Sequence, residues 1–162
     1  LAALKSGSID VTTSFYNIHH IFERELGDDM GYVAGKDFGV NPYGNSIIVN
    51  GDFLKNNKDV VDAFVKVTQR AFHACAENHE PCIEALVEAN TGLTVANETD
   101  NWLLVEELMR DETSTTVGLG YMDSKRMEHS YKLFEPYLEK PFDINKQFTN
   151  EFVDTSVKMP AN

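Results

Sequence analysis

The chain has 162 residues, 42% hydrophobic and 25% charged, which suits an ordinary folded domain with a core and excludes a disordered chain. A net charge of -12 and a pI near 4.7 leave no clustered Lys and Arg to track a phosphate backbone, which argues against nucleic acid as a partner. No apolar run approaches the roughly 20 residues that cross a bilayer as a helix, and the acidity favours solubility and a setting outside the cytoplasm.

In chain order, Leu1-Ala2-Ala3-Leu4-Lys5-Ser6-Gly7 reads as the last turns of a helix closed by a glycine, with no initiator Met and no capping residue ahead of it. The expectation is a chain that begins mid-fold, as the C-terminal fragment of a longer protein. Residues 9–15, "IDVTTSF", are rich in β-branched side chains and predict a short strand, followed by a helix from about Asn17 to Leu26 that ends at Gly27. Residues 31–38 give a second strand, and Ser46 to Val49 a third whose apolar run predicts burial on both faces.

From Asn56 onward the pattern is helical. Val60, Val61, Phe64, Val65, Thr68, Ala71, Phe72 and Cys75 recur at helical spacing, with Asn56 or Asn57 as the cap and Asp59 in the first turn. A second helix runs from about Glu80 to Ala89. A third starts at Asn97, where Asn97 and Asp100 resemble a capping box, and carries Trp102, Val105, Leu108 and Met109. Gly118-Leu119-Gly120 breaks the chain, and Asp123 caps a last helix that ends near Pro136. In the polar tail, Phe142, Phe148 and Phe152 are placed to pin it to a surface. Three strands cannot serve so many helices, so the rest of the sheet is expected in a missing N-terminal part.

Candidate chemistry is sparse. His19 and Glu23 lie four apart with His20 beside them, but no second ligand cluster follows, so a solvated helix face is expected and no metal. Ser14 lacks a Gly-x-Ser-x-Gly elbow, and Gly118-Leu119-Gly120 lacks the third glycine, the Lys and the strand of a phosphate cradle. No catalytic residue and no cofactor is assigned. Asn97-Glu98-Thr99 fits a glycosylation sequon but is taken as a helix cap. Cys75 and Cys82 flank a helix-helix corner, where a disulfide and two small buried thiols are both open. Thr13-Ser14-Phe15-Tyr16-Asn17 passes from strand to helix, a place where open α/β sheets present ligand-binding side chains, although on spacing alone an exposed polar turn is the preferred reading.

These residues carry a resemblance. "ALKSGSIDVTTSFYN" resembles the helix-to-strand unit near the end of the second lobe of type II periplasmic solute-binding proteins, and "YGNSIIVNGDFLKNNKDVVDAFVKVTQRAF" is similar to the return to the first lobe in the NMT1/THI5-like branch. "VGLGYMDSKRMEHSYKLF" and "FTNEFV" resemble that branch's end, "GxGxxDxxRxxxxxxxL" followed by "FTxxFL". The branch includes binders of sulfonates, taurine and thiamine precursors.

The resemblance implies an α/β chain, a partial type II periplasmic-binding-protein fold, predominantly helical with few strands. Residues 1–41 would end the second lobe, and residues 42–162 would supply a return crossing and the C-terminal helices of the first. It also implies the substrate-binding component of an ABC importer, periplasmic or otherwise extracytoplasmic and not an enzyme, whose partners are a small-molecule ligand and a membrane permease. Ser14, Phe15, Tyr16, Asn17, Tyr43 and Asn45 would line the cleft, with Pro42 and Gly44 as hinge. No Arg or Lys stands in these stretches, which tilts the expectation toward a neutral or heteroaromatic ligand. Two alternatives stand beside it: the branch's thiamine pyrimidine synthases, which use pyridoxal phosphate and a Cys-rich iron motif, and a helical interaction module. Exposed apolar strand edges predict a homo-oligomer of the fragment.

Overall fold

The computed structural model describes residues 1–161 and forms two compact units, each assembled from two stretches of chain: Leu1–Tyr32 with Cys75–Arg110, and Val33–Ala74 with Asp111–Asn162. In chain order the helices are α1 (Ala2–Lys5), α2 (His19–Leu26), α3 (Gly51–Asn56), α4 (Lys58–Glu77), α5 (Glu80–Ala89), α6 (Val95–Met109), α7 (Glu112–Thr116) and α8 (Ser124–Phe134). Short 3-10 turns lie at Tyr16–Ile18, Gly27–Asp29, Gly35–Phe38, Glu135–Tyr137 and Ile144–Lys146.

No strand occurs among the described residues, which corrects all three strand expectations. A β-rich sequence becomes a strand only when its N–H and C=O groups meet a ladder, and here none is offered. Residues 9–15 run without regular structure until Phe15, which is extended at φ -87 and ψ 144, while the second segment closes into the 3-10 turn Gly35–Phe38. The third is not buried on either face, since the neighbours Ile47 and Ile48 are 44% and 93% exposed.

In the first unit, α1 ends as anticipated at Gly7, whose φ of +68 lets the Gly7 and Ser8 N–H groups reach the Leu4 and Ala3 carbonyls, each at 3.0 Å. The 3-10 turn Tyr16–Ile18, α2 and α5 all pack on α6. Among the described residues Ile83 is the unit's one buried apolar residue, so polar fasteners matter. Arg24 donates to Asn97 Oδ1 at 2.7 Å and to Asp100 Oδ2 at 2.9 Å, which ties α2 to α6. This corrects the cap assignment: α6 begins at Val95, Thr94 Oγ1 accepts the Asn97 N–H at 3.4 Å, and Asn97 and Asp100 face Arg24 instead. Lys5 Nζ donates to Glu25 at 2.6 Å, and this hydrogen bond holds the Glu25 carboxyl below its usual range. Cys75 and Cys82 are joined by a disulfide with Cα atoms 5.9 Å apart, closing the corner at the end of α4 and the start of α5.

In the second unit, α4 presents Val61 to the core, where Leu119, Phe152 and Met159 are also buried. The polar centre is Gln69, only 7% exposed. Its Nε2 donates to the Asp154 carbonyl at 2.8 Å and the Leu119 carbonyl at 2.9 Å, while its Oε1 accepts the Asp154 N–H at 3.0 Å. The Leu119 N–H donates to the Val157 carbonyl at 2.9 Å, and the Met159 N–H to the Ser114 carbonyl at 2.8 Å. Asn150 makes a matching pair, accepting from the Met122 N–H and donating to its carbonyl, both at 2.9 Å. At the turn, a side chain on Gly118 would meet Thr155 Cα at 3.4 Å, whereas Gly120 has open space but a φ of +81. Two short helices escaped the periodicity reading, and both carry caps: Asn50 accepts the Asp52 and Phe53 N–H groups of α3, and Asp111 forms a capping box with Ser114 of α7. Asp123 caps α8 as anticipated, accepting the Arg126 N–H at 2.8 Å.

Three outcomes follow for stability. Gln69→Leu leaves the Leu119 carbonyl and the Asp154 N–H without their partner, while the Asp154 carbonyl keeps the Val157 N–H, and should lower the unfolding free energy by about 2–4 kcal/mol in urea titrations; a loss under about 1 kcal/mol would show that the clamp is dispensable. Hydrogen bonds from the Ser156 hydroxyl and N–H hold the Asp154 carboxyl below its ordinary value. Because the folded pKa is the lower one, the stabilisation is present above the unfolded carboxylate value and is lost as pH falls through the folded one. The stability gap between the parent and Ser156→Ala should therefore narrow between neutral pH and pH about 3. Finally, both ring nitrogens of His20 are buried without a hydrogen-bond partner among the described residues. His20→Phe should leave the melting temperature unchanged or raise it, since replacing an unpartnered polar group with an apolar ring of similar shape removes a desolvation cost; a marked drop would reveal a hidden role for the imidazole.

Candidate functional site

The candidate ligand residues fall into two groups, Ser14, Phe15, Tyr16 and Asn17 in the first unit and Tyr43 and Asn45 in the second. In the first group the extended chain turns into 3-10 helix at Phe15, which leaves that ring 71% exposed. The Ser14 hydroxyl donates to the Phe15 carbonyl at 3.2 Å. Asn17 Nδ2 donates to Asn101 Oδ1 on α6 at 2.7 Å, which fixes the amide plane and leaves Asn17 Oδ1 as an acceptor without a partner among the described residues.

Behind this turn stands an aromatic group that the sequence reading did not assign. Tyr16 meets the His19 ring edge-on at 5.6 Å between centroids, and His19 meets Tyr32 at 4.3 Å and 87°. His19 Nε2 lies 3.4 Å from Glu23 Oε1, a contact that the spacing of four on α2 sets up. Among the described residues no group of three or more His, Cys, Asp or Glu comes together in a metal-holding arrangement. Tyr32 is 62% exposed, so the first unit offers two exposed rings, Phe15 and Tyr32, with a carboxamide oxygen nearby in sequence. Phe15 and Tyr32 were legible as aromatics, but no spacing rule joins residues 16, 19 and 32 before the chain has folded.

In the second unit, α8 grips the turn that contains Tyr43. The Asp123 N–H donates to Tyr43 Oη at 2.7 Å, and the Arg126 guanidinium stands over the Tyr43 ring, 4.2 Å from its centroid. Arg126 also donates through Nε to the Asn41 carbonyl at 3.1 Å, through Nη2 to Asn41 Oδ1 at 3.3 Å and the Pro42 carbonyl at 3.5 Å, and through Nη1 to Asp111 at 3.1 Å. His129 Nε2 is 3.1 Å from the Gly39 carbonyl. Pro42, named as hinge, is thus held through its carbonyl, while the Gly44 carbonyl accepts the Ser46 hydroxyl at 3.5 Å. Asn45 is exposed. The stretches themselves lack Lys and Arg, yet a cation from α8 covers the Tyr43 ring, and its charge is paired with Asp111.

A protein-family model described as NMT1/THI5 like matches residues 1–81, half of the 162-residue chain and a span that contains both groups of candidate residues. No curated protein and no solved structure matches the chain. Because that match covers half of the chain, the chain belongs to the NMT1/THI5-like family.

Proposed function

We propose that this chain is part of the substrate-binding component of an ABC importer, which captures a small organic nutrient such as a thiamine pyrimidine precursor, a sulfonate or taurine. The observation that carries the reading is that the family match spans two clusters of aromatic and amide side chains, residues 14–17 and 43–45, with Phe15 and Asn45 exposed and the Tyr43 hydroxyl already oriented. Aromatic rings beside fixed carboxamides suit a small polar molecule with a flat or apolar side. The type II lobes, the cleft between them and movement about Pro42 and Gly44 belong to this reading, as does delivery to a membrane permease. The apolar side chains exposed at Val11, Phe15 and Ile48 support pairing with further sheet or with a second copy of the chain.

The disulfide between Cys75 and Cys82 supports an oxidising, extracytoplasmic setting. It also supports the binding reading over a thiamine pyrimidine synthase, because two joined cysteines are not thiolates for an iron motif.

The test is a thermal melt of the full chain with taurine, an alkanesulfonate and a hydroxymethylpyrimidine in turn. At about 100 times its dissociation constant, a true ligand adds about 2.7 kcal/mol of stability by mass action, visible as a rise of several degrees. Tyr16→Ala and Asn17→Ala should abolish that increment; Asn17→Ala also lowers the unliganded melting point by losing Asn101, so the increment is the readout. Both variants responding like the parent would remove residues 14–17 from the site, and no response to any of the three would count against the binding reading.

A further inference from the structure

Tyr43 is oriented by α8 more than by its own turn. Its oxygen accepts the Asp123 N–H at 2.7 Å, and one face of its ring lies under Arg126. The hydroxyl hydrogen, by contrast, has no acceptor among the described residues, although the residue is half-buried. A phenol whose lone pair already takes an N–H is a better donor through its own O–H, because adjacent hydrogen bonds polarise one another. Arg126 is not free to take an anion. Its Nε and both Nη atoms donate to Asn41, Pro42 and Asp111, and its charge faces the Asp111 carboxylate.

We propose that Arg126 is a positioning residue which, with the Asp123 N–H, sets Tyr43 as a directed hydrogen-bond donor, so that this rim selects an uncharged ligand by an acceptor atom such as a ring nitrogen or carbonyl oxygen. The ligand part rests on the binding reading above, whereas the positioning part does not. Lys in place of Arg126 keeps the charge over the ring but loses the planar fork that spans Asn41, Pro42 and Asp111. The Tyr43 ring then has no fixed stop, and its hydroxyl leaves the Asp123 N–H.

The experiment has two arms on the full chain. Without ligand, the Asp123 amide resonance is followed by nitrogen-15 correlation spectroscopy: Tyr43→Phe shifts it by removing its acceptor, and Arg126→Lys is expected to shift it in the same direction with the fold retained. An Asp123 amide unmoved in Arg126→Lys overturns the positioning role. In the second arm, titration calorimetry compares 4-aminopyrimidine with aniline, a matched pair differing in ring nitrogens, and with methanesulfonate as the anion. The expected result is that Tyr43→Phe and Arg126→Lys each weaken 4-aminopyrimidine about tenfold, as for loss of one hydrogen bond, and leave aniline unchanged. Binding of methanesulfonate alone, or equal losses for both rings, overturns the acceptor selectivity while leaving the binding reading intact. Binding of none of the three by the parent overturns the ligand part of the proposal together with that reading, and the amide arm still decides what Arg126 does.

Discussion

The carboxamide of Gln69 is the constraint around which the second unit is organised. A helix side chain that donates to the Leu119 and Asp154 carbonyls and accepts the Asp154 N–H does locally what a strand ladder does elsewhere: it satisfies backbone groups of irregular chain inside a core. The turn at 118–120 and the tail then stack on each other through Leu119 to Val157 and Met159 to Ser114, which brings Phe152 and Met159 in as apolar cover. With few buried side chains, the unit leans on directed polar contacts, and without Gln69 the Leu119 carbonyl and the Asp154 N–H would be stranded.

The first unit follows the same logic with different chemistry. Arg24 and Asn17 fasten α2 and its leading turn to α6, Lys5 fastens α1 to Glu25, and the disulfide closes the helical corner at Cys75 and Cys82. The candidate ligand turn is therefore not a loose loop. Asn17 owes its orientation to Asn101, as Tyr43 in the other unit owes its own to Asp123 and Arg126. In both places one half of a polar group is engaged by the scaffold and the other half is left over.

Long helices were legible because burial writes a period into the sequence. The stripe of α4 and the bounds of α5 follow from apolar spacing and from the Pro81 that opens the helix. Gln69 falls on that stripe, eight residues beyond Val61, and a polar residue in an apolar row is the signal that was available for it. The strands were misread because β-branched content reports side-chain preference, whereas a strand is a property of two segments, and residues 9–15 and 46–49 have no partner among the described residues. The cap of α6 is Thr94 and not Asn97, which is also a good capping residue, and only the fold places Arg24 beside Asn97. The grip of α8 on Tyr43 could not be read locally at all, since Asp123 and Arg126 are about eighty residues away from it. From sequence, Asp123 was readable as the cap of α8 and nothing gave Arg126 a role.

Gly118 and Gly120 look interchangeable in "GLG", yet their tolerance to replacement runs in opposite directions. At 118 the torsions are ordinary and the limit is clearance to Thr155, so a single methyl is admitted in close contact. At 120 there is room for a side chain, but the left-handed backbone at φ +81 favours asparagine over alanine. Natural variation at this turn should therefore read as Ala-Leu-Gly or Gly-Leu-Asn, and seldom as Asn-Leu-Ala, so one glycine keeps a record of distance and the other of handedness.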